Sequence, residues 1–144
     1  MNVKTVAIAA DHGGVELKST IISALKDRGI EVFDLGTNSS ESVDYPDYAK
    51  VVAQSIIEGK SDAGILVCGS GIGMSIAANR YPEIRAALAH DRLSATLSRQ
   101  HNNANVLCLG ARLVGDLLAL DCIDAFLSTE FEGGRHALRV AKMS

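Results

Sequence analysis

The stretch Ile65-Leu66-Val67-Cys68-Gly69-Ser70-Gly71-Ile72-Gly73-Met74-Ser75 decides the fold. An apolar run ends in a cysteine, passes through three alternating glycines and enters a helical pattern, which reads as strand, tight loop and helix. In open α/β sheets ligands settle outside the carboxyl ends of the strands, and a helix starting there aims its free N–H groups at them. Cys68 therefore stands where a reacting atom belongs, and its thiolate is expected to be stabilised, with a pKa below the free value of about 8.5. That makes it a candidate base or nucleophile. The alternative is a buried structural thiol closing a core strand, since cysteine is among the most buried residue types. The glycines favour the first reading, because they let a backbone approach a ligand and cost chain entropy that an ordinary turn avoids.

Outward from that stretch the same alternation repeats. Val3 to Ala10 is an apolar run stopped by Asp11-His12-Gly13-Gly14, the pattern of a buried parallel strand and its loop. Val15 to Arg28 has helical spacing and stops before Gly29. Ile30 to Leu35 reads as a second strand, Gly36 to Tyr45 as a polar loop, and Tyr48 to Glu58 as a helix with Pro46 where a helix can begin. After the strand Ala63 to Cys68 come a helix Ile72 to Asn79, a strand Ile84 to Ala89 and a helix Leu93 to Gln100. A strand Asn105 to Leu109, a helix Gly115 to Leu127 and a short helix Arg135 to Lys142 close the chain. This predicts one α/β domain over residues 1–144, a Rossmann-like three-layer sandwich with a five-stranded parallel sheet and right-handed crossovers. The helix over 135–142 is marginal alone, so it must dock on the core or on a partner subunit.

Composition removes several function classes. A net charge of −3 and no long lysine or arginine cluster argue against nucleic acid as a partner. No segment approaches membrane-spanning length, and the apolar run near the start meets Asp11 too early for a signal peptide. Cys68, Cys108 and Cys122 are odd in number and have neither zinc spacing nor the density of a disulfide framework, which favours a reducing, cytoplasmic setting.

Parallel topology brings Asp11, His12, Cys68 and Ser70 to one edge of the sheet, although Asp11 also suits a helix cap and His12 a surface position. The stretch Arg99-Gln100-His101-Asn102-Asn103-Ala104-Asn105 is densely polar. A helix C-terminus explains its asparagines and leaves His101 as a candidate general acid or base. That loop lies at the opposite edge from Cys68. A two-fold dimer would bring His101 of one copy against the Cys68 edge of the other. Arg112, Arg135 and Arg139 are a candidate anion clamp, the last two sharing a helix face; a solvated helix face is the alternative. His90-Asp91-Arg92 and His136 read as surface or cap residues. A nucleotide-binding module is a competing class, but Met74 occupies the third glycine position of the dinucleotide fingerprint and no Gly-Lys-Ser/Thr ending is present.

Taken together, Asp11-His12-Gly13, Asp44-Tyr45-Pro46, Cys68-Gly69-Ser70-Gly71-Ile72-Gly73, Ser98-Arg99-Gln100-His101-Asn102 and Glu132-Gly133-Gly134-Arg135-His136 resemble the type B ribose-5-phosphate isomerases. That family also holds allose-6-phosphate and galactose-6-phosphate isomerases, and the resemblance runs from about Val6 to Arg139. It implies a metal-free and cofactor-free aldose–ketose isomerisation through an enediolate, in the pentose phosphate pathway. By resemblance Cys68 moves the proton, while the Ser70 hydroxyl and the backbone N–H groups of Gly69, Ser70, Gly71, Ile72 and Gly73 stabilise charge on oxygen. His101 opens the furanose ring and Asn102 holds a hydroxyl. Asp11 contacts the sugar, Tyr45 joins the substrate-binding set, and His12, Arg112, Arg135 and Arg139 hold the phosphate. The resemblance also implies homodimers or dimers of dimers with shared sites. Ser70 stands where threonine is common, and Met74 where one branch carries a catalytic glutamate, which favours the cysteine mechanism.

Overall fold

The computed structural model describes residues 1–143. In chain order the elements are β1 (Thr5–Ala10), α1 (Val15–Asp27), β2 (Glu31–Asp34), α2 (Tyr45–Ile57), β3 (Ala63–Cys68) and α3 (Ile72–Ala78). They continue with β4 (Ala86–Leu88), α4 (Arg92–Asn102), β5 (Val106–Gly110), α5 (Asp116–Ser128) and α6 (Arg135–Met143). The five strands form one parallel sheet in the order β2-β1-β3-β5-β4. The expected α/β sandwich is what the chain forms.

Central strands bury both faces, so they read as unbroken apolar runs rather than as alternating patterns. Val6, Ile8, Ile65 and Val67 face one side, into a cluster with Leu17 and Ile21 of α1 and Ile123 and Phe126 of α5. Ala7, Ala9, Leu66 and Cys68 face the other, against Ala49 and Val52 of α2 and Met74 of α3. Helices α1, α4 and α5 therefore cover one face and α2 and α3 the other. The crossover after β1 leaves on one face and the crossover after β3 on the opposite face. Between these neighbouring strands a crevice opens, the position where ligands bind in such sheets.

Two differences from the expected boundaries have local causes. Helix α2 begins at Tyr45, three residues early, because Pro46 fits the first turn with its fixed φ and absent N–H. Strand β4 is only three residues long. At its outer edge the Asn79 side chain accepts from Ala86 N–H at 2.7 Å and donates to Ala86 C=O at 2.9 Å, taking the place of a further strand.

Polar groups tie the layers. Lys18, 1% exposed, donates to Asp34 Oδ1 and Asn38 Oδ1 at 2.6 Å each, joining α1 to the loop after β2. Asp62 Oδ2 accepts from the N–H groups of Lys4 and Thr5, at 2.8 and 3.0 Å, and pins the start of β1 beside the start of β3. Asp91 caps α4 reciprocally with Ser94, as a capping box does. Arg99 is 2% exposed and donates to Thr129 C=O, Asn103 Oδ1 and Ala104 C=O, a structural role for a residue of the polar stretch. No helix among the described residues is long and apolar enough to cross a membrane.

Candidate active site

The register pairs Ala10 with Val67, so β1 and β3 end level and deliver Asp11 and Cys68 to one edge. Both connecting loops press together there, and the glycines make that approach possible. A Cβ on Gly14 would fall 2.7 Å from Val67 Cγ1, and one on Gly110 would fall 2.6 Å from the carbonyl of Ser70. Gly71 has φ +77 and a Cβ there would meet Leu88 at 2.6 Å, so this turn accepts only glycine.

These loops border a cleft of about 610 Å³ whose wall includes Asp11, His12, Tyr45, Cys68, Gly69, Ser70, Ile72, Gly73 and Arg112. Cys68 is 5% exposed and its Sγ accepts the Gly71 N–H at 3.1 Å. The Ser70 hydroxyl accepts the Ile72 N–H at 3.2 Å. Two of the five amides read from the sequence are thus turned inward, holding the sulfur and the hydroxyl in place. Among the described residues, the N–H groups of Gly69, Ser70 and Gly73 donate to no protein group and remain for a ligand oxygen.

Asp11 Oδ1 accepts the Gly13 N–H at 2.9 Å, which fixes the carboxylate at the cleft wall. His12 Nδ1 accepts the Val43 N–H at 3.2 Å, which in the neutral ring assigns the proton to Nε2. The Tyr45 ring lies over Gly73, where a Cβ would fall 2.5 Å from Cε1 and Cζ. Arg112 crosses Gly69, and its guanidinium makes no ion pair among the described residues. Burial pushes the Cys108 thiol far up and the Cys122 thiol up to about 11. Neither of these two lines the cleft, which leaves Cys68 as its sulfur.

The remaining candidates gather elsewhere. His101 and Asn102 end α4 and Arg135 and Arg139 lie on α6, away from the cleft wall. His101 stacks on His136, ring centroids 4.4 Å apart and planes 10° from parallel, and His136 Nε2 lies 3.5 Å from a Glu132 oxygen. His136 is 9% exposed, so it is not the surface residue expected from sequence. Its usable signal was Glu132, four residues earlier. Loss of water, then the charges of His101, Arg135 and Arg139, hold the His136 imidazole below its ordinary range, with Glu132 opposing. His101, Glu132 and His136 place one ligand atom each within 4.8 Å of one another, and among the described residues they are the group that could hold a metal ion. Arg135 and Arg139 are exposed, without ion pairs, on one helix face.

Residues 6–143 match the profile of a family described as Ribose/Galactose Isomerase. The chain is 51% identical to ribose-5-phosphate isomerase B of Escherichia coli, over 96% of this chain and 93% of that one. It is 46% identical to D-erythrulose-4-phosphate isomerase of Pectobacterium atrosepticum, over 96% and 92%. A crystal structure of ribose 5-phosphate isomerase from Thermotoga maritima superposes with TM-score 0.95 at 57% identity, covering 96% of both chains. That of Mycoplasma genitalium with bound ribulose-5-phosphate superposes with TM-score 0.93 at 44% identity, covering 96% and 93%. By family and fold this chain is a sugar-phosphate isomerase. More narrowly, the chain belongs to the Ribose/Galactose Isomerase family and is similar to its ribose-5-phosphate isomerase B members.

Proposed function

We propose that this isomerase interconverts ribose 5-phosphate and ribulose 5-phosphate through an enediolate, with Cys68 as the base. The observation that carries this is the Cys68 sulfur, fixed by the Gly71 N–H in a cleft that also holds a serine hydroxyl and unspent backbone donors. In the open-chain aldose the thiolate takes the hydrogen of C2 as a proton and returns it to C1. The proton on O2 passes to O1. Charge developing on oxygen meets the N–H groups of Gly69, Ser70 and Gly73, where one such donor is worth about 3 kcal/mol. Each step is a proton transfer and draws on no cofactor.

Ring opening needs a group that gives a proton to the ring oxygen while the anomeric hydroxyl loses one. His101 of the partner subunit takes that role, with Asn102 of the partner subunit on a sugar hydroxyl. His12 and Arg112 hold the phosphate from one copy, and Arg135 and Arg139 from the other. Supporting this assembly, Ile72, Ile76 and Leu113 at the cleft wall are 50%, 61% and 57% exposed, more apolar surface than a lone subunit gains from presenting.

The deciding assay compares kcat/KM on ribose 5-phosphate, allose 6-phosphate, galactose 6-phosphate and erythrulose 4-phosphate with purified protein. The highest value on ribose 5-phosphate is expected. Preference for a six-carbon or four-carbon sugar overturns the assignment of substrate.

A further inference from the structure

A second concavity, of about 360 Å³, lies at the outer strand β4 and reaches the end of α6. Arg85, Asn102 and Met143 share its wall with Pro82 and Ile84, and no carboxylate among the described residues lines it. Arg85 Nε donates to Asn103 C=O at 2.8 Å, which sets the plane of the guanidinium. Its two terminal amino groups have no protein acceptor among the described residues. The Asn102 carboxamide likewise has no partner there.

A half-buried arginine with idle arms is unexpected in a chain with 17 acidic residues and a net charge of −3. Arg99 turns toward the same Asn103–Ala104 segment, so two positive charges converge on it. Burial with no acid beside it holds the Arg85 guanidinium below the ordinary arginine range, and its charge acts on Arg99 in the same direction. An anion seated there relieves both effects. A guanidinium fork with two free amino groups matches the two oxygens of a carboxylate or phosphate, and Pro82, Ile84 and Met143 suit an apolar body.

We propose that this pocket binds a small oxyanion on a short apolar body, a monocarboxylate or a phosphate monoester, with the free arms of Arg85 on its oxygens. A ligand seated there bridges β4 and Met143, joining α6 to the sheet. Because the proposed reaction also takes a phosphate monoester at the Cys68 cleft, the test reads binding at Arg85 rather than turnover.

Full-length protein labelled with 15N, with 13C at methionine methyls, is titrated by NMR with butyrate, butyl phosphate and the uncharged control butanol. Saturable shifts are expected at Arg85 Nε–H and the Met143 methyl with at least one anion and not with butanol. They persist in Arg112→Met, which removes the cation of the Cys68 cleft. Affinity falls at least tenfold in Arg85→Met, and also in Arg85→Lys, which keeps the charge but loses the fork. The anion that saturates first identifies the headgroup. Shifts confined to His12, Ser70 and Arg112 overturn the proposal. So does no saturation by about 20 mM, well beyond a millimolar dissociation constant, or affinity unchanged in the folded Arg85 variants.

Discussion

The backbone N–H of Gly71 donates to the sulfur of Cys68 across 3.1 Å, so the turn that presents the sulfur also orients it. Only glycine fits that turn, at φ +77 and packed against Leu88 and the Leu109 carbonyl carbon. The position of the sulfur is therefore a property of the loop rather than of a flexible side chain.

Replacing Cys68 by Ala removes the proposed base while deleting one small side chain. Turnover is expected to fall by about 10²–10⁴, the usual contribution of a positioned acid or base. Thermal melting should shift by only a few degrees. Near-normal turnover in the folded variant would exclude Cys68 as the proton carrier.

Splitting the machinery between two copies has a mixing signature. Cys68→Ala and His101→Asn homo-oligomers should each be nearly inactive on the cyclic sugar. Unfolding and refolding them together forms hybrid dimers in which one site carries both lesions and the other carries neither. Activity should return to roughly a quarter of wild type under random pairing of two-fold dimers. No recovery, with hybrids shown by mass spectrometry, would mean that each copy works alone.

Gly110→Ala tests how closely the Ser70 loop must approach the sheet. The added Cβ would sit 2.6 Å from Ser70 backbone atoms, which cannot rotate away as a side chain does. Overpacking of this kind costs about 1–3 kcal/mol. A displacement near 1 Å at the reacting centre costs about 100-fold in rate. Both losses should be seen, in denaturant titration and in kcat; an unchanged kcat would show that Ser70 sits outside the reacting centre.

Asp62 predicts an acid-dependent share of stability. The Lys4 N–H, followed by the groups of Thr5, holds its carboxyl below the ordinary aspartate range. The folded protein therefore gives up this proton more readily than the unfolded chain. The contribution is fully present above the ordinary value of about 3.9 and is lost as pH falls through the lowered folded value. It should be on the order of 0.5 kcal/mol, because the side chain stands largely in water. The stability gap between wild type and Asp62→Asn, followed by urea titration from pH 7 to pH 3, should narrow toward the acid end. An equal gap at every pH would contradict it.

What the residues alone disclosed follows from where burial is two-sided. The strands Thr5–Ala10, Ala63–Cys68 and Val106–Gly110 are central, so their apolar runs are unambiguous. Topology then places Asp11, His12, Cys68 and Ser70 together without reference to distance in sequence, and the cleft contains all four. Less legible were features created by partners distant in the chain. His136 reads as a surface or cap residue until His101 is seen against its ring, and the partners of Lys18, Asp34 and Asn38, stand 16 and 20 residues away in the chain. The inward use of the Gly71 and Ile72 amides is likewise invisible in a glycine motif, since spacing shows which donors exist and not where each one points.

Asn79 has a consequence for the outer rim of the molecule. Its carboxamide satisfies both main-chain groups of Ala86 that a foreign strand would use to add itself to β4. A foreign strand annexing this edge finds the Ala86 position already taken, on a strand only three residues long. One side chain thus helps the sheet to end at β4.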